Sequence, residues 1–332
     1  MTGGGAAGWP GDLERDLLGG ERRYTRGQVA ARVGVDVDRA RLFWRAMGFP
    51  DVGDDEVVFT DADVAALARV TELLDEGLLD LGTAVQLGRA MGRTTARLAD
   101  WQMEAFTERA GDTGAQALDL TRRLLPDLEA LLTFVWRRQL AAAALRRAPG
   151  GPAEAAGQRL AVGFADLVGF TRLSRRLGER ELAEVVERFE AGASDLVSGV
   201  GARIVKTVGD EVLFVADAPD VAAEAALALA EATAADPVVP PVRVGLAYGP
   251  VLSRLGDVFG TTVNLASRLT ALAPPGAVLV DEGLAAMLRA DPRYQLTTQW
   301  RRRLAGLGLV VPVLLRRSVP GTVAGGRADA VG

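Results

Sequence analysis

The chain of 332 residues contains no cysteine and no histidine. Without cysteine it can form neither disulfides nor thiolate metal sites. Without histidine it lacks the most frequent general base, the most frequent metal ligand and the side chain that titrates nearest neutral pH. Any metal ion must therefore be held by oxygen ligands, which favours Mg²⁺ or Mn²⁺ over zinc.

Long apolar runs and an excess of positive charge are also missing. No uninterrupted apolar stretch reaches the roughly 18 residues needed to span a bilayer, and the N-terminus lacks the basic-then-apolar order of a signal peptide. We therefore predict a cytoplasmic protein with no membrane partner. The formal net charge of −5 argues against a nucleic-acid partner, because neutralising phosphates requires clustered positive charge.

Composition predicts two domains of ordinary size. A stretch rich in glycine, proline and alanine at 148–157 reads as a linker. Flexible tails are expected at 1–20 and 317–332, because both ends have little apolar content to pack. The linker then separates a domain at 21–147 from a domain at 158–316.

The first domain reads as all-helical. Apolar residues recur at helical spacing, and the predicted helices cover Tyr24–Val33, Asp38–Met47, Asp80–Met91, Thr94–Arg109 and Leu118–Arg147. Gly34 and Gly48 are plausible helix stops, and Thr60 is a good N-cap for a further helix. We expect the last helix to break or bend near Pro126.

The second domain alternates strands and helices. Strands are predicted at 159–166, 202–208, 211–215, 242–248 and 278–280, and helices at 179–198, 218–235 and 261–271. A tight Gly209-Asp210 turn predicts a hairpin between the second and third strands. The order βαββαβ predicts a ferredoxin-like domain, so the whole chain is of the α+β class.

Two aspartates of this domain are candidates for metal chemistry. Asp166 ends the first strand and Asp210 lies in the hairpin turn. In a ferredoxin-like sheet the first strand lies beside the central hairpin, so both carboxylates can project from one edge. Mg²⁺ prefers such carboxylates together with substrate phosphates, and two ions between them could activate an attacking oxygen and stabilise a leaving one. Taken singly, each aspartate could equally be an ordinary strand-end or turn residue.

Three segments together resemble the class III adenylyl and guanylyl cyclase catalytic domain. They are Phe164–Thr171 (FADLVGFT), Lys206–Glu211 (KTVGDE) and Gly256–Arg268 (GDVFGTTVNLASR). Their order and spacing make the resemblance far more specific than a single glycine pattern. It covers about residues 158–316 and implies an adenylate cyclase that converts ATP to cyclic AMP and pyrophosphate.

The resemblance implies a role for each matching position. Asp166, Asp210 and the Leu167 carbonyl would hold two Mg²⁺ or Mn²⁺ ions, and Gly169, Phe170 and Thr171 would lie against phosphates. Lys206 and Asp257 would read the purine. Asn264 would orient the ribose, Arg268 would stabilise charge on the α-phosphate, and Arg243 would contact the outer phosphates.

The purine readers indicate adenine. A lysine ammonium can donate to adenine N1 and an aspartate can accept from the N6 amine, whereas guanine would need the reverse polarity. Lys206 is the only lysine of the chain. This counts against the alternative that it is a structural residue that only prevents pairing at a strand edge. The alternative activity is that of a guanylate cyclase.

The family builds each active site from two subunits. Metal aspartates of one chain face the purine-reading and transition-state residues of the other, so a chain with both sets implies a symmetric homodimer with two equivalent sites. One position departs from the family pattern: Ala305 stands where a phosphate-binding lysine is common, and Arg301, Arg302 or Arg303 could substitute. This departure puts the rate in doubt and not the reaction type.

The N-terminal half has a second, weaker resemblance. Tyr24–Asp36 is similar to the opening helix-turn-helix of MerR-type DNA-binding domains, and this leaves open a transcription regulator with an inactive, nucleotide-sensing cyclase domain. Acidic residues such as Asp36, Asp38 and Asp54 fall where DNA would approach. The layout also resembles actinobacterial cyclases with an all-helical regulatory domain, so we favour a module that dimerises and modulates the cyclase.

Overall fold

The computed structural model describes residues 14–110, 114–147, 159–254 and 256–318. The linker predicted at 148–157 lies outside the described residues, as do residues 1–13 and 319–332 of the two predicted tails. The chain divides into two compact units between Leu140 and Ala141. Each unit has buried apolar clusters of its own.

The N-terminal unit is helical, as predicted. Its helices are α1 (Arg26–Val33), α2 (Val37–Ala46), α3 (Asp61–Asp75), α4 (Leu81–Ala110) and α5 (Gly114–Arg147), and α5 runs past the division between the units. Gly34 ends α1 in the left-handed conformation, which glycine adopts at little cost. Thr60 caps α3 as expected, in a capping box with Asp63. Local signals therefore determine the short helices.

The long helices differ from their predicted bounds. The helices predicted at Asp80–Met91 and Thr94–Arg109 form one helix, α4. A Cβ on Gly92 would lie 2.1 Å from the Met47 carbonyl oxygen, so this glycine permits a close approach of two backbones and is not a break. Helix α5 begins at Gly114 and continues through Pro126, although proline removes a backbone hydrogen bond there.

The predicted N-terminal tail extends into described residues. Asp16 forms an ion pair of 2.7 Å with Arg122 on α5, so this part of residues 1–20 contacts a helix of its own unit. Within the described ranges, no helix combines the length and hydropathy needed to cross a bilayer.

The C-terminal unit is built on strands. They are β1 (Arg159–Leu167), β2 (Arg203–Val208), β3 (Glu211–Ala216), β4 (Val242–Pro250), β5 (Leu252–Arg254), β6 (Asp257–Phe259), β7 (Val278–Val280), β8 (Tyr294–Thr298), β9 (Arg302–Leu304), β10 (Gly308–Val310) and β11 (Val313–Arg317). The intervening helices are α6 (Phe170–Leu173), α7 (Glu179–Gly199), α8 (Pro219–Ala235), α9 (Thr261–Leu272) and α10 (Glu282–Leu288).

The principal sheet has seven strands in the order β2-β3-β1-β4-β7-β11-β8. Its part β2-β3-β1-β4, together with α7 and α8, is the ferredoxin-like arrangement, so the predicted fold class is confirmed. The first strand lies beside the hairpin, because β1 pairs antiparallel with β3 on one side and with β4 on the other. Strands β5, β6 and β8 to β11 were not predicted.

The two faces of this sheet are covered differently. Helix α7 buries Val185, Phe189, Ala193 and Val197, one residue per turn, and packs with the alanine-rich α8 on the first face. The second face carries Leu160, Val162 and Phe164 of β1 and is covered by α9 and the β5–β6 hairpin. Residues alternate between the faces of a strand, so Asp166 belongs to the second face.

Candidate active site

Asp166 lies near the end of β1, directly opposite Glu211 of β3 and Arg243 of β4. Directly paired residues project from the same face of a sheet, so the three side chains form a row across three strands. Arg243 donates from Nε and Nη2 to Oδ2 of Asp166, each over 2.6 Å. The Asp166 side chain is only 14% exposed, so its charge is largely compensated by this guanidinium.

Asp210 lies beside Asp166, as predicted. Gly209 and Asp210 form the two-residue turn between the directly paired Val208 and Glu211, and the Asp210 carbonyl accepts a hydrogen bond of 3.0 Å from the Leu167 N–H. Burial raises the pKa of the Asp210 carboxyl, and the charge of Asp166 raises it further. The two carboxylates are therefore close enough to repel one another.

Glu211 is a third acidic side chain beside Asp166 and Asp210. It is the last residue of the Lys206–Glu211 segment, and the sequence predicted no role for it. Burial raises the pKa of its carboxyl, and the charges of Asp166 and Asp210 add to the shift. Its proximity depends on the register between β1 and β3, which residue spacing along the chain does not reveal. The only sequence feature that could have indicated this position is the two-residue Gly209-Asp210 turn, because it places Glu211 at the start of a strand.

Divalent cations fit this donor set. Three carboxylates lie near the Arg243 guanidinium. Burial and neighbouring negative charge raise the pKa values of Asp210 and Glu211, so a further positive charge would favour their ionised forms. All the donors are oxygens, the ligand type that Mg²⁺ and Mn²⁺ prefer. Among the described residues, no group of three or more aspartate or glutamate side chains is placed so that it could hold a metal ion by itself.

Lys206 and Asp257 meet although 51 positions separate them. Lys206 lies on β2 and its Nζ donates to Oδ2 of Asp257 over 2.5 Å, while the other oxygen of Asp257 accepts from the Val258 N–H. Burial acts against ionisation, but the Lys206 hydrogen bond holds the pKa of Asp257 below its usual range. Buried Val258 anchors the β5–β6 hairpin to the sheet and so fixes the position of its neighbour Asp257.

Helix α9 carries the remaining two polar candidates. Asn264 and Arg268 are exposed and stand one turn apart on the same side of the helix. The opposite side of α9 lies against β4, because a Cβ on Gly245 would be 2.2 Å from the Thr270 nitrogen and 2.4 Å from the Ala266 carbonyl oxygen. The glycine therefore sets how deeply α9 sits on the sheet.

Replacing Gly245 with alanine is expected to lower the stability of the protein by about 2–3 kcal/mol, because the new methyl group must displace the backbone of α9. Thermal unfolding measures the effect as a lowered Tm. Gly192→Ala is the matched control: it lies inside α7, and its added Cβ would meet nothing within 4 Å. An equal loss of stability in both variants would contradict the close approach at Gly245.

The other candidates lie in short segments. Gly169 has a positive φ of 76° and precedes α6, the single turn that contains Phe170 and Thr171. Ala305 lies in the turn between β9 and β10, and the three preceding arginines, Arg301 to Arg303, are exposed. In the described part of the chain, neither Arg302 nor Arg303 forms an ion pair.

The second face of the sheet thus carries two distinct groups of predicted residues. Asp166, Asp210 and Arg243 lie together, with the Leu167 backbone beside them. Lys206 and Asp257 form a second group. Asn264 and Arg268 are exposed on the side of α9 that faces away from the sheet, where a ligand can reach them.

Two family models match the chain. Residues 154–311 match the adenylate and guanylate cyclase catalytic domain, and residues 13–135 match the adenylate cyclase regulatory domain. The second match favours a regulatory module over a DNA-binding one for the N-terminal unit.

Relatives extend over almost the whole chain. An adenylate cyclase of Streptomyces coelicolor is 48% identical over 92% of this chain and 89% of its own. One of Streptomyces griseus is 46% identical over 92% of this chain and 88% of its own. The crystal structure of an adenylyl cyclase from P. aeruginosa is similar over 49% of this chain and 95% of its own, with 21% identity and a TM-score of 0.43.

The sheet, its helices and the matched catalytic domain are those of the class III nucleotidyl cyclases. Within them, the chain belongs to the adenylate cyclase family, in which this catalytic domain follows an N-terminal regulatory domain. The family resemblance read from the three sequence segments is thereby confirmed.

Proposed function

We propose that the protein converts ATP to 3′,5′-cyclic AMP and pyrophosphate at two equivalent sites of a homodimer. The observation that carries the choice of ATP is the Lys206–Asp257 pair, with Nζ and Oδ2 2.5 Å apart. Asp257 keeps lone pairs free to accept from the adenine N6 amine, and Lys206 keeps two further N–H donors for adenine N1. Guanine presents a donor at N1 and an acceptor at O6, which this pair would not match.

The reaction forms a bond between the ribose 3′-oxygen and the α-phosphorus. The bond from that phosphorus to the bridging oxygen breaks, pyrophosphate leaves, and the proton of the 3′-hydroxyl passes to water or to a substrate phosphate. Exposed Asn264 orients the ribose, and Arg268, one turn further along α9, stabilises charge on the α-phosphate. No histidine is required, because the chain supplies positioning and charge rather than a side-chain base.

Asp166, Asp210 and the Leu167 carbonyl would hold two Mg²⁺ or Mn²⁺ ions. When bound, these ions supply positive charge for the attacking and leaving oxygens. The carboxylates lie together at one end of β1, and their mutual repulsion favours a cation there. The Gly169–Thr171 segment follows β1 at once, so its backbone N–H groups are available to the phosphates.

A symmetric dimer completes the site in this proposal. One chain carries the two metal-binding aspartates, Asp166 and Asp210. It also carries a second set of residues, namely Lys206, Asp257, Asn264 and Arg268. Two chains that face each other therefore build two sites. The exposed side of α9 supports this arrangement, since its polar residues face away from their own sheet.

The direct test incubates the purified full chain with Mn²⁺ and either ATP or GTP. Cyclic AMP formed from ATP, at a kcat/KM well above that for GTP, is the expected result. Cyclic GTP as the main product would favour the guanylate cyclase alternative. No cyclic nucleotide from either substrate would overturn the proposed function and favour a nucleotide-sensing protein.

The N-terminal unit modulates the cyclase in our proposal. The second half of α5 exposes large apolar side chains on several sides, among them Leu131, Phe134, Trp136 and Leu145. An exposed apolar surface of this kind marks an interaction site. Because α5 precedes the catalytic unit in the sequence, a change in its contacts can bias how two catalytic units meet.

Removing residues 1–154 is expected to change the rate of cyclic AMP formation, and we expect an increase because the N-terminal unit restrains the dimer. The comparison measures kcat of the full chain and of residues 155–332 over a range of protein concentrations, so that a loss of dimerisation is separated from a loss of restraint. Identical rates under all conditions would contradict a regulatory role and leave the unit as a constitutive dimerisation module.

A further inference from the structure

Arg243 does not stand free to meet a phosphate. Its Nε and Nη2 atoms each lie 2.6 Å from Oδ2 of Asp166, the carboxylate to which we assign a divalent cation. The two residues are direct partners in the β1–β4 register, so the contact follows from strand pairing and needs no unusual loop conformation.

Arg243 is the counter-ion of three neighbouring carboxylates. Asp166, Asp210 and Glu211 lie within electrostatic range of it, and its charge opposes the rise in the pKa values of Asp210 and Glu211. Lys206 forms its ion pair with Asp257, and its charge reaches Glu211 only as the last of the causes that act on the pKa of that carboxyl. Among the described residues, Arg243 is the only ion-pair partner of Asp166.

A guanidinium cannot give up its charge by losing a proton at neutral pH. A divalent cation that approaches Oδ2 of Asp166 therefore meets a fixed positive charge that must move away. Arginine is also the side chain best suited to bind phosphate oxygens, because its N–H donors form a planar fork. The Arg243 side chain is 37% exposed, so it has solvent-filled space into which to swing.

We propose that Arg243 is an exchangeable counter-ion, which occupies Asp166 in the nucleotide-free protein and transfers to the outer phosphates of ATP when a divalent cation takes its place. This inference rests on the proposed function. It makes metal and nucleotide binding mutually supportive: the nucleotide draws Arg243 off Asp166, and the metal releases Arg243 to the nucleotide. By linkage, each ligand then raises the affinity for the other by the same factor.

Mn²⁺ binding to the nucleotide-free full chain tests the exchange without any turnover. Electron paramagnetic resonance measures free Mn²⁺ during a titration of the wild-type, Arg243→Ala and Arg243→Lys proteins at constant pH. Because the competing charge is partly exposed and screened, Arg243→Ala is expected to bind Mn²⁺ roughly fivefold more tightly. Arg243→Lys, which keeps the charge but not the fork, should lie between the two.

Arg159→Ala is the matched control. Arg159 begins β1, at the end remote from Asp166, and its guanidinium lies over the Tyr248 ring at 5.2 Å. Its replacement removes the same charge from the same pair of strands, and we expect unchanged Mn²⁺ affinity. If Arg159→Ala gained as much Mn²⁺ affinity as Arg243→Ala, the effect would come from net charge alone, and the proposed exchange would be overturned.

A non-reactive ATP analogue supplies the second readout. Its affinity should fall roughly tenfold in Arg243→Ala, in line with the loss of a charged phosphate contact, and the mutual enhancement between Mn²⁺ and analogue should disappear. Unchanged or weaker Mn²⁺ binding in Arg243→Ala, or no Mn²⁺ binding in any variant, overturns the exchange. The proposed function fails separately, only if the wild-type protein makes no cyclic AMP from ATP.

Discussion

Replacing Asp210 with alanine is expected to abolish cyclic AMP formation, with a fall in kcat of at least about 10³-fold. The turn between β2 and β3 places Asp210 beside Asp166 and ties it to the end of β1 through the Leu167 N–H. In the proposed mechanism, only Asp166 would be left to hold the two cations, so charge on the attacking and leaving oxygens would lose most of its compensation. A coupled assay of pyrophosphate release measures the loss.

The same variant should fold at least as well as the wild type when no metal is present. Burial and the charge of Asp166 raise the pKa of Asp210 in the folded protein. A raised carboxyl pKa means that ionised Asp210 destabilises the fold at neutral pH, and alanine removes that cost. Metal-free Tm should therefore stay level or rise, and gel filtration should show the same oligomeric state as for the wild type.

Asp195→Ala provides the control for this prediction, because Asp195 is an exposed carboxylate on α7. It should keep both activity and Tm. Turnover of Asp210→Ala within tenfold of the wild-type value would contradict the metal role of Asp210. Loss of activity together with a lowered Tm would instead assign Asp210 a structural role.

Signals that act over a few residues were readable from the sequence. Thr60 was predicted as an N-cap from its residue type. In the structure its hydroxyl and the Asp63 carboxylate bond to each other's backbone N–H three positions away. Gly34 was predicted as a helix stop because glycine adopts the left-handed conformation at little cost, and it does so at the end of α1. The strand at Val278–Val280 has the predicted bounds, since an apolar run between turn residues defines it.

Features set by distant partners were not readable. Gly92 looked like a break between two helices, but its role is to let α4 pass close to the backbone at Met47. Strands β9 and β10 are three residues long and mostly exposed, so they lack the apolar alternation that reveals a strand. Glu211 gained its place beside Asp166 from strand register, which no local pattern encodes.

For the candidate site, the identities of the residues were predicted from the sequence, but their contacts were not. The three motifs named the candidate residues through the family resemblance, and their roles stay predictions. Their contacts depend on the fold: the Lys206–Asp257 pair requires the β5–β6 hairpin to lie against β2, and the Arg243–Asp166 pair requires the β1–β4 register. The sequence assigned Arg243 to phosphate and did not foresee its contact with Asp166.

The double variant Lys206→Glu with Asp257→Cys is expected to shift the preference from ATP to GTP by about 10²-fold or more in the ratio of kcat/KM values. A glutamate at 206 accepts from the guanine N1–H and 2-amine, and a thiol at 257 no longer repels the guanine O6 oxygen as a carboxylate does. The two changes must be made together. In Lys206→Glu alone, the new carboxylate would face Asp257 at the place where the ammonium lay 2.5 Å away.

That repulsion makes the single variant an informative control. Lys206→Glu should lose activity with ATP and gain little with GTP, whereas adding Asp257→Cys should recover turnover with GTP only. The recovery is a coupling between the two positions that a double-mutant cycle on kcat/KM measures. If the double variant keeps the wild-type ratio of ATP to GTP turnover, the pair does not read the base, and adenine selection must lie elsewhere on the second face of the sheet.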